Sequence, residues 1–210
     1  ARELAISMSC VSRIFLLSPA NCSGRRAQMA LSPNAEFDLA LRLRAESGVP
    51  LGELFAFVSG LYFRGKLAYA RRFASSPDPS SPILGGGIHV ITPNAGLRSP
   101  DTRVTAEAVR LFAATDIDLS NQTYRQPLEQ SARAIADESG DCQVVLLGSV
   151  ASPKYVDVLL DIFGRIRLVA TSTTVGVRSR VAEPLMKTRA PASIAILMVG
   201  SAARMRASLV

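Results

Sequence analysis

The sequence predicts an α/β fold, with a mainly parallel sheet and helices on both faces. Three short apolar runs, residues 14–17, 88–92 and 142–147, lack the alternation of polar and apolar residues that a half-exposed strand shows. Stretches with helical spacing of apolar residues separate these runs. Because strands joined by long helical crossovers pair in parallel, the runs are expected to share one sheet.

The composition is that of an ordinary globular chain. It has 210 residues, of which 48% are hydrophobic and 20% charged, so it can bury one good core. No apolar run approaches the ~18 residues of a membrane helix, and the first residues lack a signal-peptide pattern, so no membrane partner is expected. The odd number of cysteines favours the cytoplasm. With His89 as the single histidine, the sequence predicts no metal site, and it predicts no cofactor.

The charge is distributed unevenly along the chain. Residues 1–164 hold 16 basic and 16 acidic residues, whereas residues 165–210 hold eight basic residues and one acidic residue. All of the net charge of +7 therefore belongs to the end of the chain. We expect an α/β domain at residues 13–170 and a poorly packed basic tail at residues 171–210.

The first predicted strand covers residues 14–17. It stops before Ser18-Pro19, because Pro19 has no N–H for a central ladder. Three helices follow, at residues 35–45, 51–59 and 62–74. Asn34 is the expected N-cap of the first of them. The proline- and serine-rich residues 75–82 then predict a surface loop.

The second half of the chain repeats the pattern. The glycine triplet 85–87 precedes the second strand, so it predicts a bend and not a strand-to-helix phosphate loop. Helices are expected at residues 105–113 and 122–139, before the third strand. Ser152 and Pro153 predict the cap and first position of a helix that ends near Phe163. A fourth strand is possible at residues 165–170.

Polar loops follow all three predicted strands. In a parallel sheet these loops lie at one edge, where open α/β folds bind ligands. Their hydroxyl and amide groups suit a polar planar ligand or an oxyanion, although the same residue types are also ordinary turn formers. The predicted ligand-binding residues are Ser18, Asn21, Arg25, Thr92, Asn94, Ser149 and Lys154.

Two further side chains carry possible chemistry. Cys22 follows the first strand, and Arg25 and Arg26 could lower its pKa, with His89 as a base if the first two strands are neighbours. The position of His89 inside a strand favours a structural histidine instead. Nothing in the sequence positions a Ser-His-Asp triad.

The helix predicted at residues 62–74 is rich in basic residues, with tyrosines between them. Such a face can contact phosphates and stack a base. A solvated helix face is the alternative, because residues 1–164 carry no net charge. The predicted nucleic-acid-binding residues are Arg64, Lys66, Tyr69 and Arg72.

Four short motifs occur in one order within residues 13–163. They are Leu16-Leu17-Ser18-Pro19-Ala20, Leu61-Tyr62-Phe63-Arg64, Ile91-Thr92-Pro93-Asn94 with Pro100-Asp101-Thr102, and Leu147-Gly148-Ser149 with Lys154-Tyr155. This order resembles a loose superfamily of small α/β proteins that includes the YaaA peroxide-stress proteins and the domain accompanying archaeosine-synthase-type tRNA modification enzymes. The resemblance implies an α/β core and a nucleobase or nucleic-acid context. Asn21 and Asn94 stand where those relatives often carry lysine.

Three functions remain open at this point. The first is a protein that binds or acts on a nucleobase, nucleoside or nucleic acid through the strand-exit loops. The second is a non-catalytic, nucleic-acid-associated stress-response protein that uses the basic helix and the tail. The third is a structural or regulatory protein without a ligand. Salt dependence distinguishes the first two, because phosphate contacts weaken steeply with salt.

Overall fold

Helices and strands alternate along the part of the chain that the computed structural model describes, residues 12–148 and 153–171. In chain order these elements are β1 (Arg13–Leu17), α1 (Arg25–Leu31), α2 (Asp38–Arg44), β2 (Val49–Pro50), α3 (Leu51–Ser59), α4 (Leu61–Phe73), β3 (Ile88–Thr92), β4 (Gly96–Arg98), β5 (Arg103–Val104), α5 (Ala106–Ala114), α6 (Gln122–Glu138), β6 (Gln143–Leu147), α7 (Pro153–Arg167) and β7 (Leu168–Thr171).

One five-stranded sheet organises these elements, in the order β4-β3-β1-β6-β7. The central strand β1 pairs in parallel with β3 on one side and with β6 on the other, and β6 pairs in parallel with β7. At the edge of this sheet β4 runs antiparallel to β3, and β2 and β5 form a separate two-stranded antiparallel sheet. Leu17, at the end of β1, lies opposite Val90 of β3 and Leu147 of β6. The predicted α/β fold with a mainly parallel sheet is therefore confirmed.

The side chains of β1 contribute to two separate cores. Phe15 and Leu17 pack in one apolar cluster with residues of α1 to α5. Ile14 and Leu16 point to the other face, in a cluster with residues of α6 and α7. All four are buried, and each contributes about 1.5–3 kcal/mol relative to an exposed side chain. The uninterrupted apolar run thus reflects a strand that is covered by helices on both faces.

The first helices differ from the prediction. Residues 25–31 form α1, which the sequence did not predict. Helix α2 begins at Asp38, with Phe37 and not Asn34 at its N-cap, so the predicted cap was wrong. The Phe37 ring stacks on Phe57 of α3 with 5.4 Å between centroids, and this packing fixes the start of the helix.

The segment after β3 also differs from the prediction. It does not leave the sheet as an open loop, because residues 96–98 turn back as β4 and pair with β3. Gly96 has a φ of 69°, and a side chain there would collide with the carbonyl of Pro127 in α6. Ser131 of α6 accepts a hydrogen bond from the Leu97 N–H at 2.8 Å, which ties the helix to the edge strand.

The last described elements have the predicted order but other bounds, because the helix runs to Arg167 instead of ending near Phe163 and the strand covers Leu168–Thr171 instead of residues 165–170. Helix α7 begins at Pro153, is broken at Gly164, where φ is 74°, and leads into β7. The predicted N-cap Ser152 and residues 172–210 of the predicted tail lie outside the described residues. No helix within the described ranges is both long and apolar enough to cross a bilayer.

Candidate functional site

The neighbouring parallel strands β1 and β6 have connections that leave the sheet on opposite faces. Strand β1 is followed by helices that cover one face of the sheet, and β6 is followed by α7 on the opposite face. Adjacent parallel strands whose connections leave in opposite directions form the switch point where open α/β sheets bind ligands. Ser18 follows β1 at this point, and its N–H donates to the Leu147 carbonyl at 3.0 Å. Ser18 therefore lies at the carboxyl edge of the sheet, where the sequence predicted it.

A lysine from α4 contacts Ser18. Lys66 Nζ lies 2.6 Å from Ser18 Oγ and 3.3 Å from the Ser18 carbonyl oxygen, and it donates to both. Only 2% of Lys66 and 7% of Ser18 are exposed. The ammonium group also lies 4.8 Å from the ring centroid of Tyr62 and 5.2 Å from that of Phe63. The amine is thus enclosed by rings and by one serine.

Burial changes the chemistry of this lysine. Desolvation lowers the pKa of Lys66 from 10.5 to about 8, since the charged form loses its hydration. None of the ion pairs among the described residues includes Lys66, so no carboxylate offsets this loss. Near neutral pH, Lys66 therefore has an accessible neutral form that can accept a proton from the Ser18 hydroxyl.

Gly148 completes the immediate surroundings of Ser18. It is the first residue after β6, and a Cβ at this position would collide with Cβ and Oγ of Ser18. The absence of a side chain allows the two strand ends to approach closely. The glycine of the Leu147-Gly148-Ser149 exit is thus required by the contact with Ser18.

A cleft of about 290 Å³ lies beside the loop that follows β1. Its apolar walls include Pro19, Pro93 and Phe112, from the ends of β1, β3 and α5. Asn21 and Asp116, which are both exposed, supply polar side chains. The cleft therefore combines apolar rings with an amide, a carboxylate and the hydroxyls of Ser23 and Thr115.

The predicted ligand-binding residues are distributed unequally around this edge. Asn21 lines the cleft, with its Oδ1 accepting hydrogen bonds from the backbone and hydroxyl of Ser23. Thr92 is fully buried, and its hydroxyl donates to the Gly96 carbonyl and accepts from the Ala95 N–H. These bonds close the β3–β4 turn, and the role of Thr92 as a ligand contact stays a prediction.

The other predicted ligand-binding residues lie around or beyond the cleft. Asn94 is half-buried in the β3–β4 turn and does not line the cleft, and Arg25 is exposed at the start of α1. Lys154 is exposed at the start of α7. The pKa of Asp118 is lowered mainly by hydrogen bonds from Ser120, and also by the charge of Lys154. The predicted contact Ser149 lies outside the described residues.

The proposed cysteine chemistry is not supported. Cys22 is buried, and desolvation raises the pKa of its thiol to about 12, so the expected lowering by Arg25 and Arg26 was wrong. Cys22 belongs to the core on the α1–α5 face of the sheet. His89 pairs with Leu16, whose side chain belongs to the opposite face, so the histidine cannot act as a base for Cys22.

His89 is a buried strand residue, as the structural interpretation expected. Desolvation lowers its pKa to about 4, and a hydrogen bond to the backbone of Leu84 opposes this only in part. Its Nε2 has no hydrogen-bond partner among the described residues. The imidazole is therefore neutral at pH 7.

The predicted nucleic-acid-binding residues do not share one face of α4. Lys66 is buried against Ser18, so its predicted position on an exposed basic face is corrected. Arg64 lines a groove with Glu53 of α3, away from the exposed Tyr69. Arg72 is exposed, one helical turn beyond Tyr69. The basic and aromatic side chains of this helix are thus divided between two sides.

The Ser18–Lys66 contact was missed by the sequence-based interpretation, although a signal was present. Phe63, Lys66, Leu67 and Ala70 form the buried stripe of α4, at the helical spacing i, i+3, i+4 and i+7. Because basic residues lie close to Lys66 in the sequence, Lys66 was assigned to an exposed basic face of the helix. A lysine within an apolar stripe predicts a buried amine.

Comparison with family models, with curated proteins and with solved structures finds no match for this chain. The resemblance to YaaA-like proteins and to the domain accompanying archaeosine-synthase-type enzymes therefore stays a prediction. The candidate site rests on the geometry of the chain itself.

Proposed function

We propose that this protein binds a nucleobase or nucleoside at the carboxyl edge of its sheet. The observation that carries this proposal is the cleft beside the β1 loop, which combines apolar rings with an amide, a carboxylate and the hydroxyls of Ser23 and Thr115. Pockets for small organic ligands are mostly apolar and contain a few polar groups that orient the ligand. The cleft has a larger share of polar groups than such pockets usually have, and it lies at the edge where α/β folds place ligands.

The shape of the cleft suits a planar ligand of modest size. Its volume of about 290 Å³ is near the lower end of the range for small-molecule pockets, about 300–1,000 Å³. The rings of Pro19, Pro93 and Phe112 offer flat apolar surfaces against which a base can pack. A base or a nucleoside fits these dimensions better than a larger cofactor does.

The polar groups of the cleft favour a ligand that both donates and accepts hydrogen bonds. The bonds from Ser23 occupy Asn21 Oδ1 and leave the amide N–H groups to donate. The carboxylate of Asp116 can accept from a base N–H or a ribose hydroxyl. Because the edge of a nucleobase carries both kinds of group, it matches this pair.

A nucleic-acid-associated stress-response protein is the second candidate function. The observation that favours it is the exposed aromatic pair of α4, in which the rings of Tyr69 and Phe73 lie 4.6 Å apart with Arg72 beside them. Exposed aromatic rings next to a cation stack bases of single strands. The separation of Arg64 from this group makes it a smaller surface than the sequence suggested.

Thermal unfolding with a panel of nucleobases, nucleosides and nucleotides tests the first candidate. A ligand at a hundred times its Kd stabilises the native state by about 2.7 kcal/mol, which raises the Tm by several degrees. We expect Asp116→Asn to abolish this shift and Asp157→Asn, an exposed carboxylate on α7, to preserve it. A panel without any shift, or shifts that are equal in both variants, would contradict the proposal.

A further inference from the structure

Nucleoside binding does not explain the contact between Ser18 and Lys66. Buried lysines normally pair with a carboxylate, because an isolated buried charge is costly. Lys66 has no such partner among the described residues and is aimed instead at a serine hydroxyl 2.6 Å away. Two aromatic rings cover its remaining sides. Desolvation lowers the pKa of Lys66 to about 8, so part of the amine is neutral near neutral pH and in contact with an alcohol.

We propose that Ser18 and Lys66 form a nucleophile–base pair that hydrolyses a carboxylic ester. Ser18 is the nucleophile and Lys66 is its general base. The inference does not rest on nucleoside binding, since neither side chain lines the 290 Å³ cleft. The two proposals therefore fail or stand separately.

The first half of the reaction transfers the acyl group to the protein. Ser18 Oγ forms a bond to the ester carbonyl carbon while its proton passes to Lys66 Nζ, 2.6 Å away. The carbonyl electron pair moves to the oxygen and returns when the bond to the leaving alcohol oxygen breaks. The ammonium of Lys66 then gives its proton to that oxygen. The products of this half are an alcohol and an acyl-serine.

The second half releases the acid. A water molecule gives a proton to Lys66 Nζ and attacks the acyl carbon. The bond to Ser18 Oγ breaks, and Lys66 returns the proton to the serine. Ester and water have then become acid and alcohol, with no oxidant, reductant or metal in the balance.

Three observations on different elements support this assignment. The lowered pKa of Lys66, about 8, makes the free amine available near neutral pH. The backbone of Gly148 approaches Ser18 so closely that a Cβ there would collide with Ser18 Oγ, and this packing holds the serine side chain in position. Ser18 lies at the switch point between β1 and β6, the edge at which open α/β folds bind ligands.

An uncharged ester is the substrate class that fits the pair. Lys66 is surrounded by Tyr62 and Phe63, and no carboxylate of the described residues pairs with it to receive a cationic substrate. The ring of Pro19, the residue after Ser18, gives the acyl or alcohol part an apolar surface to contact.

A fluorophosphonate probe on the full chain tests the proposal. Ser18 Oγ would displace fluoride from phosphorus while Lys66 takes the proton, and intact mass with peptide mapping would report the adduct. We expect one adduct, on Ser18, which is absent in Ser18→Ala. Lys66→Met should slow labelling by at least about 100-fold, the usual contribution of a general base. Ser80→Ala, an exposed serine of the loop after α4, should label at the rate of the unaltered chain.

The pH dependence of labelling gives a second, independent readout on the unaltered chain. The rate should rise about tenfold per pH unit below about pH 8 and level off above it, because only the free amine accepts the proton. If circular dichroism shows that Lys66→Met does not fold, this pH profile of the unaltered chain tests the role of Lys66 as the base. No adduct, an adduct on another residue, or a rate that is flat across this range would overturn the proposal.

Discussion

Lys66 makes the stability of this protein depend on alkaline pH. Its folded-state pKa of about 8 lies below the value of 10.5 for an exposed lysine, so folding favours the neutral amine. Between these two values the unfolded chain binds a proton that the folded chain does not bind. The free energy of unfolding should therefore rise from about pH 8 to about pH 10.5, by about 3 kcal/mol from this group.

Chemical denaturation at several pH values measures this rise. The control is Lys66→Met, which fills a similar volume without an ionisable group. The difference in stability between the two chains should change across this window and be constant below about pH 8, where both states of Lys66 are protonated. A difference that does not vary with pH would show that Lys66 is hydrated in the folded state.

Gly148 should tolerate no side chain, whereas Gly65 should. A Cβ at position 148 meets Ser18, so Gly148→Ala should destabilise the protein by about 1–3 kcal/mol through overpacking. Gly65 lies within α4 with no atom close to its missing Cβ, so Gly65→Ala should stabilise by about 0.5–1 kcal/mol through helix propensity. Urea denaturation of both variants measures the two effects. A change in the free energy of unfolding with the same sign in both variants would contradict the described contact at Ser18.

At the level of elements, Ser131 links α6 to the edge strand β4. Its hydroxyl donates to the Pro127 carbonyl at 2.7 Å and accepts from the Leu97 N–H at 2.8 Å. Ser131→Ala leaves the Leu97 N–H without its partner and should cost about 1–3 kcal/mol. Ser80→Ala removes an exposed hydroxyl and should cost much less. Denaturation midpoints compare the two, and similar losses would show that the link is not needed.

The elements that sequence could predict are those with a strong apolar pattern. Strand β3 has the predicted bounds, and β1 and β6 differ from them by one residue each. The short strands β2, β4 and β5 were missed, because two or three residues carry no periodicity and their pairing depends on distant partners. Helix α1 was missed because its seven residues include two adjacent arginines and only a short apolar side.

The same limit applies to the candidate site. The carboxyl edge follows from parallel pairing, so Ser18 and Asn21 could be placed there from sequence. Thr92 could not be recognised as a turn residue, because its bonds to Gly96 and Ala95 exist only when β4 folds back. Lys66 reaches Ser18 across 48 positions of sequence, and only the packing of α4 on β1 brings them together.

For the whole molecule, the two candidate functions predict different strengths of response to salt. A nucleoside in the cleft packs against proline and aromatic rings, so its Kd should change less than about twofold between about 50 and 200 mM salt. Binding of a single-stranded oligonucleotide through phosphate contacts should weaken far more over that range. Fluorescence titrations of the full chain with each ligand measure this. A nucleoside Kd with steep salt dependence would contradict binding in the cleft.

At the edge of the sheet, the buried amine of Lys66 contacts Ser18, and its lowered pKa makes the neutral form accessible. The chain has only three lysines, so nuclear magnetic resonance with ¹³C at the lysine Cε can follow each of them. The signal that disappears in Lys66→Met identifies Lys66. We expect that signal to titrate with a midpoint near pH 8. A midpoint at the ordinary lysine value of 10.5 would contradict the burial of the amine and, with it, the proposed role of the pair.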